Sequence, residues 1–288
     1  MLLDLRNKLT EIPRSSPDFP VEWKSLSDCP NALYALGDVS LLKAEKFVVV
    51  GARRTPAHAL RLGSQITKEL SSAFVIVTGT ADGGDTAAIE GALLGSGRVI
   101  CLLAGGFSAL PQCNLALLEK VAEKGLLLSP HPFETEVRSF SYEYRNKLLA
   151  AIAKGVLVLG AAEKSGALIT AKYAKIYKKP IFAFPYFPGS AAGEGCNRLL
   201  KEGAILTENA FDITEKMGIK AVEKVRRAVA LTADEEKMLT ALKTLADGHI
   251  AQLAETAGVP AFKAKMLLSA LEVKGLATSL GGNRYAPV

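Results

Sequence analysis

Short apolar runs alternating with longer amphipathic runs from Lys46 to about Ala210 predict an α/β fold, a doubly wound parallel sheet with helices on both faces. A change of character past Asn209 and a new compact pattern opening at Thr232 predict a small winged-helix domain behind it. Composition agrees with both: at 49% hydrophobic and 22% charged, the 288-residue chain lies far from the low-apolar, high-charge range of disordered proteins.

The strand candidates, in order, are Phe47 to Val50, Phe74 to Val77, Val99 to Leu103, Leu126 to Leu128, Val156 to Leu159 and Ile181 to Phe184. Each is nearly all apolar, as strands covered by helices on both faces are. Crossover helices are expected from Ala59 to Ser71, Asp85 to Leu94, Leu115 to Lys124 and Ala167 to Lys178. Residues 1–45 form an N-terminal extension packing on the core of 46–218, and a charged linker over 219–231 leads to the winged-helix domain of 232–288. In that domain Thr232 and Glu235 have capping-box spacing, helical patterns run from Ile250 to Ala257 and Ala261 to Val273, and a hairpin turns at Gly281-Gly282.

Several classes are disfavoured. The longest apolar runs, such as Val99 to Ala104, fall well short of the ~20 residues of a membrane-spanning helix. The first residues have no basic region followed by an apolar run and a small-residue cleavage site, which sets the expectation of a cytoplasmic protein. Cys29, Cys101, Cys113 and Cys196 form no C-x-x-C pair, so neither a metal site nor a disulfide framework is expected. The formal net charge of +6 leans toward a polyanionic partner.

Ligands of doubly wound sheets bind beyond the carboxyl ends of the strands, so function is sought there. After the first core strand, Gly51-Ala52-Arg53-Arg54 joins backbone donors to two guanidinium forks, as a phosphate cradle or as a solvated pair. After the second, Gly79, Gly83 and Gly84 allow close backbone approach to a ligand, and Asp85 is expected to cap the next helix. After the fifth, Ser165, Gly166 and Thr170 set hydroxyls and amides at a helix start suited to phosphate oxygens. Upstream of it, Tyr142, Arg145, Asn146 and Lys147 interleave an aromatic with cations, a surface pattern that also suits base stacking beside neutralised phosphates. Together these segments point to single-stranded nucleic acid.

Catalytic signatures are missing from the sequence. His58, His131 and His249 lie in separate segments, and no H-E-x-x-H, G-x-S-x-G or Walker-type Gly-Lys-Ser/Thr occurs. No enzyme activity and no cofactor are expected.

The ordered motifs resemble the DprA/Smf family of DNA-processing proteins. Pro30 to Gly37 is similar to its P-x-x-L-Y-x-x-G segment, Gly51-Ala52-Arg53 to its G-S-R, and Thr78 to Leu93 to its glycine-rich S-G-x-A-x-G-I-D run. Arg145-Asn146-Lys147 is similar to its R-N-R, Ser165 to Thr170 to its S-G-S-L-I-T, and Gly193 to Ala204 to its last motif. The chain departs at Ala52 for serine, Ile89 for histidine, Glu143 for proline and Lys147 for arginine. The resemblance implies an extended Rossmann-like core and a homodimer without turnover. Such a protein binds single-stranded DNA, protects incoming strands and helps load a RecA-type recombinase during natural transformation. It also implies that Arg53 and the Arg145-Asn146-Lys147 group hold phosphates while Tyr142 stands where the family has an aromatic. A rival is a nucleotide-binding enzyme or sensor like the nucleoside monophosphate hydrolases that share this sheet, but Leu102 to Phe107 lacks the glutamate of their P-G-G-x-G-T-x-x-E signature. A third reading gives the leading role to the winged helix as a duplex reader, with Lys263 and Lys265 on the recognition helix and Arg284 in the wing, flanked by Glu255 and Glu272.

Overall fold

The computed structural model describes residues 6–219 and 231–287. The chain divides into two compact units, Met1–Glu223 and Lys224–Val288. Apart from its end residues, the expected linker of 219–231 lies outside the described residues.

The first unit is built on nine strands: β1 (Thr10–Pro13), β2 (Ala32–Gly37), β3 (Lys46–Val50), β4 (Val75–Thr78), β5 (Val99–Leu102), β6 (Leu126–Ser129), β7 (Val156–Val158), β8 (Ile181–Ala183) and β9 (Ile205–Leu206). Their spatial order is β1-β2-β6-β5-β4-β3-β7-β8-β9. From β6 to β9 every pairing is parallel, whereas β1 on β2 and β2 on β6 are antiparallel. All six expected strands are present, each within a residue of its expected ends. The sequence reading had no strand at β1, β2 or β9.

Apolar side chains alternate across the sheet and fill a core on each face. Phe47 and Val49 of β3 point into one cluster with Ile66, Ile89 and Val121, while Val48 and Val50 point into the other with Leu148, Leu149 and Ala171. Helices Ala57–Leu70, Gly84–Leu94 and Leu115–Lys124 supply the first cluster, and Ser139–Ile152 and Ala167–Ile176 the second. Buried Trp23 donates its indole N–H to the Leu148 carbonyl at 2.9 Å, tying the N-terminal residues to the Ser139–Ile152 helix.

This order creates a switch point. From β3 the chain steps outward through β4 and β5 to β6; the Ser139–Ile152 helix then carries it back to β7 on the other side of β3. The connections leaving β3 and β7 therefore diverge and open a crevice at their carboxyl ends. The Ser139–Ile152 helix carries the Tyr142 to Lys147 segment, and its solvated-face alternative does not hold for Arg145 and Asn146, which are buried together with the stretch Leu148 to Ile152.

The second unit has helices Ala233–Leu245, Ile250–Ala257 and Ala261–Val273 and a sheet of order β10-β12-β11, from β10 (Gly248–His249), β11 (Ala277–Gly281) and β12 (Arg284–Pro287), the order of a winged helix. Met238, Leu242, Leu253, Leu268 and Leu271 make its own core. The capping box forms as expected: Thr232 accepts from the Glu235 N–H at 3.3 Å, and Glu235 accepts from the Thr232 N–H at 2.7 Å. Lys274 also donates to both Glu235 carboxylate oxygens at 2.7 Å. These bonds, Lys274 first, hold the Glu235 carboxyl below its ordinary pKa. Their stabilisation is complete above the ordinary value of 4.5 and is lost as pH falls through the lowered one. Amide-exchange protection of the Ala233–Leu245 helix is accordingly expected to drop on acidification through that window, and Glu235→Gln should flatten the dependence.

Candidate functional site

A crevice of about 260 Å³ occupies the switch point between β3 and β7. Gly51, Ala52 and Arg53 after β3, Ala81 and Asp85 after β4, Arg145 and Asn146 of the Ser139–Ile152 helix, and Ser165 to Ala167 with Thr170 at the start of the Ala167–Ile176 helix all line it. Elements distant in sequence thus bring Arg53 and Arg145 to one cavity.

Arg145 is the fixed part of this cavity. It is 5% exposed; its Nε donates to Asn146 Oδ1 at 2.8 Å and its Nη1 to the Leu102 carbonyl at 3.3 Å. The Asp85 carboxylate stands 3.9 Å from Nη1. Burial raises the Asp85 pKa, opposed by the Arg145 charge and by the Ala81 and Gly51 amides. Burial likewise lowers the pKa of Arg145; Asp85 opposes this, and the Arg53 charge is near enough to add to it. Asn146 donates to the Gly166 carbonyl at 3.1 Å, joining the Arg145 helix to the connection after β7. Asp85 does not have the capping role expected of it: Gly83 is the N-cap, and the Asp85 carboxylate accepts from the Ala81 N–H at 3.2 Å. It is the counter-ion of Arg145.

The glycines after β4 allow close approaches within the protein itself. A Cβ on Gly79 would overlap the Arg145 and Asp85 side chains, and one on Gly83, whose φ is 81°, would overlap Ala52 and Arg53. A Cβ on Gly84 would run into the Gly51 backbone. Neither Gly79 nor Gly83 lines the crevice. Gly166 differs, since a Cβ there would meet open space.

The groups left free mark where a guest would be held. Arg53 and Arg54 are exposed, and among the described residues no side-chain hydrogen bond or ion pair holds either; Arg54 stands outside the lining. Thr170 is buried in the crevice wall and its hydroxyl has no partner. The amides expected to be free at the helix start are occupied: Ala167 donates to the Ser165 hydroxyl at 3.3 Å, and Leu168 and Ile169 to the Ser165 and Gly166 carbonyls at 3.1 and 3.0 Å. The N–H groups of Arg53 and Gly166 have no protein acceptor among the described residues.

Lys147 is not part of the crevice. Its Nζ is bound to the Asp28 carboxylate at 2.6 Å. Glu143 likewise faces elsewhere, accepting from the Tyr173 hydroxyl at 3.1 Å. Tyr142 is 40% exposed and precedes Arg145 and Asn146 by three and four residues, placing it on their helix face beside the crevice. Ala81 and Asp85 are lining residues that the sequence reading did not assign to the site.

Comparison with known proteins follows the same boundaries. The family model for DNA recombination-mediator protein A matches residues 11–218. The DNA processing protein DprA of Bacillus subtilis (strain 168) is 35% identical over 218 residues, covering 75% of this chain and 73% of that protein. The X-ray structure of DprA from Streptococcus pneumoniae superposes with a TM-score of 0.70 at 28% identity, covering 74% of this chain and 76% of that one. DprA of Helicobacter pylori, whose structure concerns its single-stranded DNA binding mode, superposes with a TM-score of 0.66 at 28% identity, covering 74% of this chain and 97% of that one. With the matched region spanning the whole switch-point sheet, the chain belongs to the DNA recombination-mediator protein A family, DprA/Smf.

Proposed function

We propose that the switch-point crevice grips the backbone of single-stranded DNA, and that the chain works as a DNA-binding protein without catalytic turnover. One observation carries this reading: Arg53, exposed and unpaired, and Arg145, buried and immobilised, line the same small cavity. Arg145 supplies a preorganised charge at the wall. Arg53 closes over the phosphate from solvent, with the free Gly166 N–H and Thr170 hydroxyl as further donors. Tyr142 offers a ring to a neighbouring base. The single-stranded DNA binding of the H. pylori relative supports the assignment. On it rests the wider role: a cytoplasmic homodimer that protects incoming strands and helps load a RecA-type recombinase in natural transformation.

Polarisation titrations of an unstructured oligothymidylate test it. Log affinity is expected to fall against log salt by about 0.7 per neutralised phosphate. Arg53→Ala should weaken binding about tenfold and reduce that slope by roughly one phosphate, and Tyr142→Ala should cost about tenfold with the slope unchanged. Wild-type affinity in the Arg53→Ala, Thr170→Val double variant would remove the crevice from the account. Release of free base from nucleoside monophosphates by the pure protein would overturn the absence of turnover.

A further inference from the structure

At about 260 Å³ the crevice is smaller than the ~300–1,000 Å³ of ordinary small-molecule pockets, so a polynucleotide gripped there has to continue over one of its walls. Behind the wall that carries Arg53, a groove of about 350 Å³ runs between the Ala57–Leu70 and Gly84–Leu94 helices. Gly83 joins the two: it lines the groove, and a Cβ on it would press on the backbone of Arg53, which lines the crevice. Along the groove lie Arg61 and Lys68, two helical turns apart on one face and so about 10 Å from each other along the axis. Arg61 is exposed and Lys68 half-buried, and among the described residues no hydrogen bond or ion pair holds either side chain. Arg54, exposed and unpaired beside Arg53 in the chain, precedes Arg61 by seven residues. Acids offer less opposition. Glu69 accepts from the Gln65 amide at 2.5 Å, and Glu90 on the facing helix is the one acidic side chain that lines the groove among the described residues.

We propose that this groove carries the next stretch of the bound DNA strand by its phosphates, with Arg54 at the turn out of the crevice and Arg61 and Lys68 beyond it. The proposal rests on the crevice reading and extends it: the strand leaves over Arg53 and runs down the flank of the sheet between the two helices. The Ala57–Leu70 helix leads that way because it starts at the carboxyl end of β3 and ends before the amino end of β4. A polyanion is the guest these side chains select, since two uncompensated cations line the groove against a single carboxylate. No aromatic ring lines it among the described residues, so the bases stay in solvent and the contact reads no sequence. Glu90 repels the same phosphates and keeps this hold weaker than that of the crevice. The crevice thus fixes the strand, and the groove adds affinity that depends on its length.

Titrations of the full chain with oligothymidylates of about 4 and about 15 nucleotides test this, the shorter reaching the crevice alone, with circular dichroism confirming the fold of each variant. The Arg61→Ala, Lys68→Ala double variant is expected to bind the longer strand about tenfold more weakly, with a salt slope lower by about 1.4 for two lost phosphate contacts, and the shorter strand as wild type does. Glu90→Gln should tighten the longer complex about twofold and leave the shorter one alone. Lys178→Gln with Lys179→Gln removes the same charge just before β8, at the opposite end of the sheet from the crevice, and should change neither. Arg53→Ala should weaken both lengths. The groove is overturned, with the crevice intact, if Arg53→Ala weakens binding while the double variant holds the longer strand as wild type does, loses both lengths equally, or loses no more than the Lys178, Lys179 control, or if Glu90→Gln binds the longer strand no more tightly. Should Arg53→Ala leave both lengths unaffected, the crevice reading itself fails and takes the groove with it.

Discussion

Arg145→Ala is expected to destabilise the Met1–Glu223 unit by about 3–5 kcal/mol, because it strands the buried Asp85 carboxylate in a cavity built around the pair. Both side chains are only 6% exposed, and the guanidinium also satisfies the Leu102 carbonyl and Asn146, so no water can replace it cheaply. In a unit of this size the change lowers the melting temperature by roughly 10 °C. Two further measurements separate ion-pair loss from simple loss of packing. Removing Asp85 as well should recover part of the stability, giving a favourable coupling in the double-mutant cycle. The pH dependence of Arg145→Ala has a definite sign. Without its counter-ion the buried Asp85 carboxyl titrates well above its unfolded value, so the folded state binds the proton more tightly and the defect shrinks as pH falls toward about 4. Stability that is insensitive to both acid and the Asp85→Ala background would show that the pair contributes nothing beyond volume.

How far the sequence discloses this arrangement depends on the range of the interaction concerned. Strands β3 to β8 are legible because burial on both faces forces unbroken apolar runs such as Phe47 to Val50. β2 is not, since Ala32 to Gly37 contains no β-branched residue and becomes a strand through its antiparallel pairing with β6. Arg53, Ser165, Gly166 and Thr170 follow from the rule that ligands meet strand ends. Arg145 and Asn146 also come out as site residues, but their setting does not: a segment reading Tyr-Glu-Tyr-Arg-Asn-Lys has the composition of a solvated face. Its burial depends on Asp85, far upstream, as counter-ion and on Gly79 leaving room for both, and no local periodicity carries that information. Lys147 stays outside the crevice for a related reason, because the Asp28 that pairs with it lies in an N-terminal segment whose position only the fold defines. The glycines after β4 are expected from the sequence to admit a ligand, and in the fold the groups that come close to them are the protein's own backbone and ion pair.

That last point yields the second large effect, a contrast between two glycines close to the same cavity. Gly84→Ala is expected to cost about 3 kcal/mol or more, because its Cβ would press on the Gly51 backbone, which has no flexible end to move aside. Relief requires the start of the Gly84–Leu94 helix to withdraw from the end of β3, which pulls the Gly51 amide away from Asp85 and loosens Arg145. Stability and DNA affinity should therefore fall together. Gly166→Ala meets no neighbour within 4 Å, and Gly166 already has a right-handed helical φ of −58°, so the gain from a stiffer unfolded chain and the small N-cap preference for glycine offset each other and stability should stay within about 0.5 kcal/mol of wild type. Gly166 lines the crevice, so a methyl group added beside its free N–H should crowd a bound phosphate and lower oligothymidylate affinity several-fold in a fully folded protein. Thermal melts and polarisation titrations of the two variants thus separate the glycine that lets the walls meet from the one that leaves room between them. Were Gly166→Ala to bind like wild type while Gly84→Ala melted normally, the crevice would be neither built nor used in the way its geometry implies.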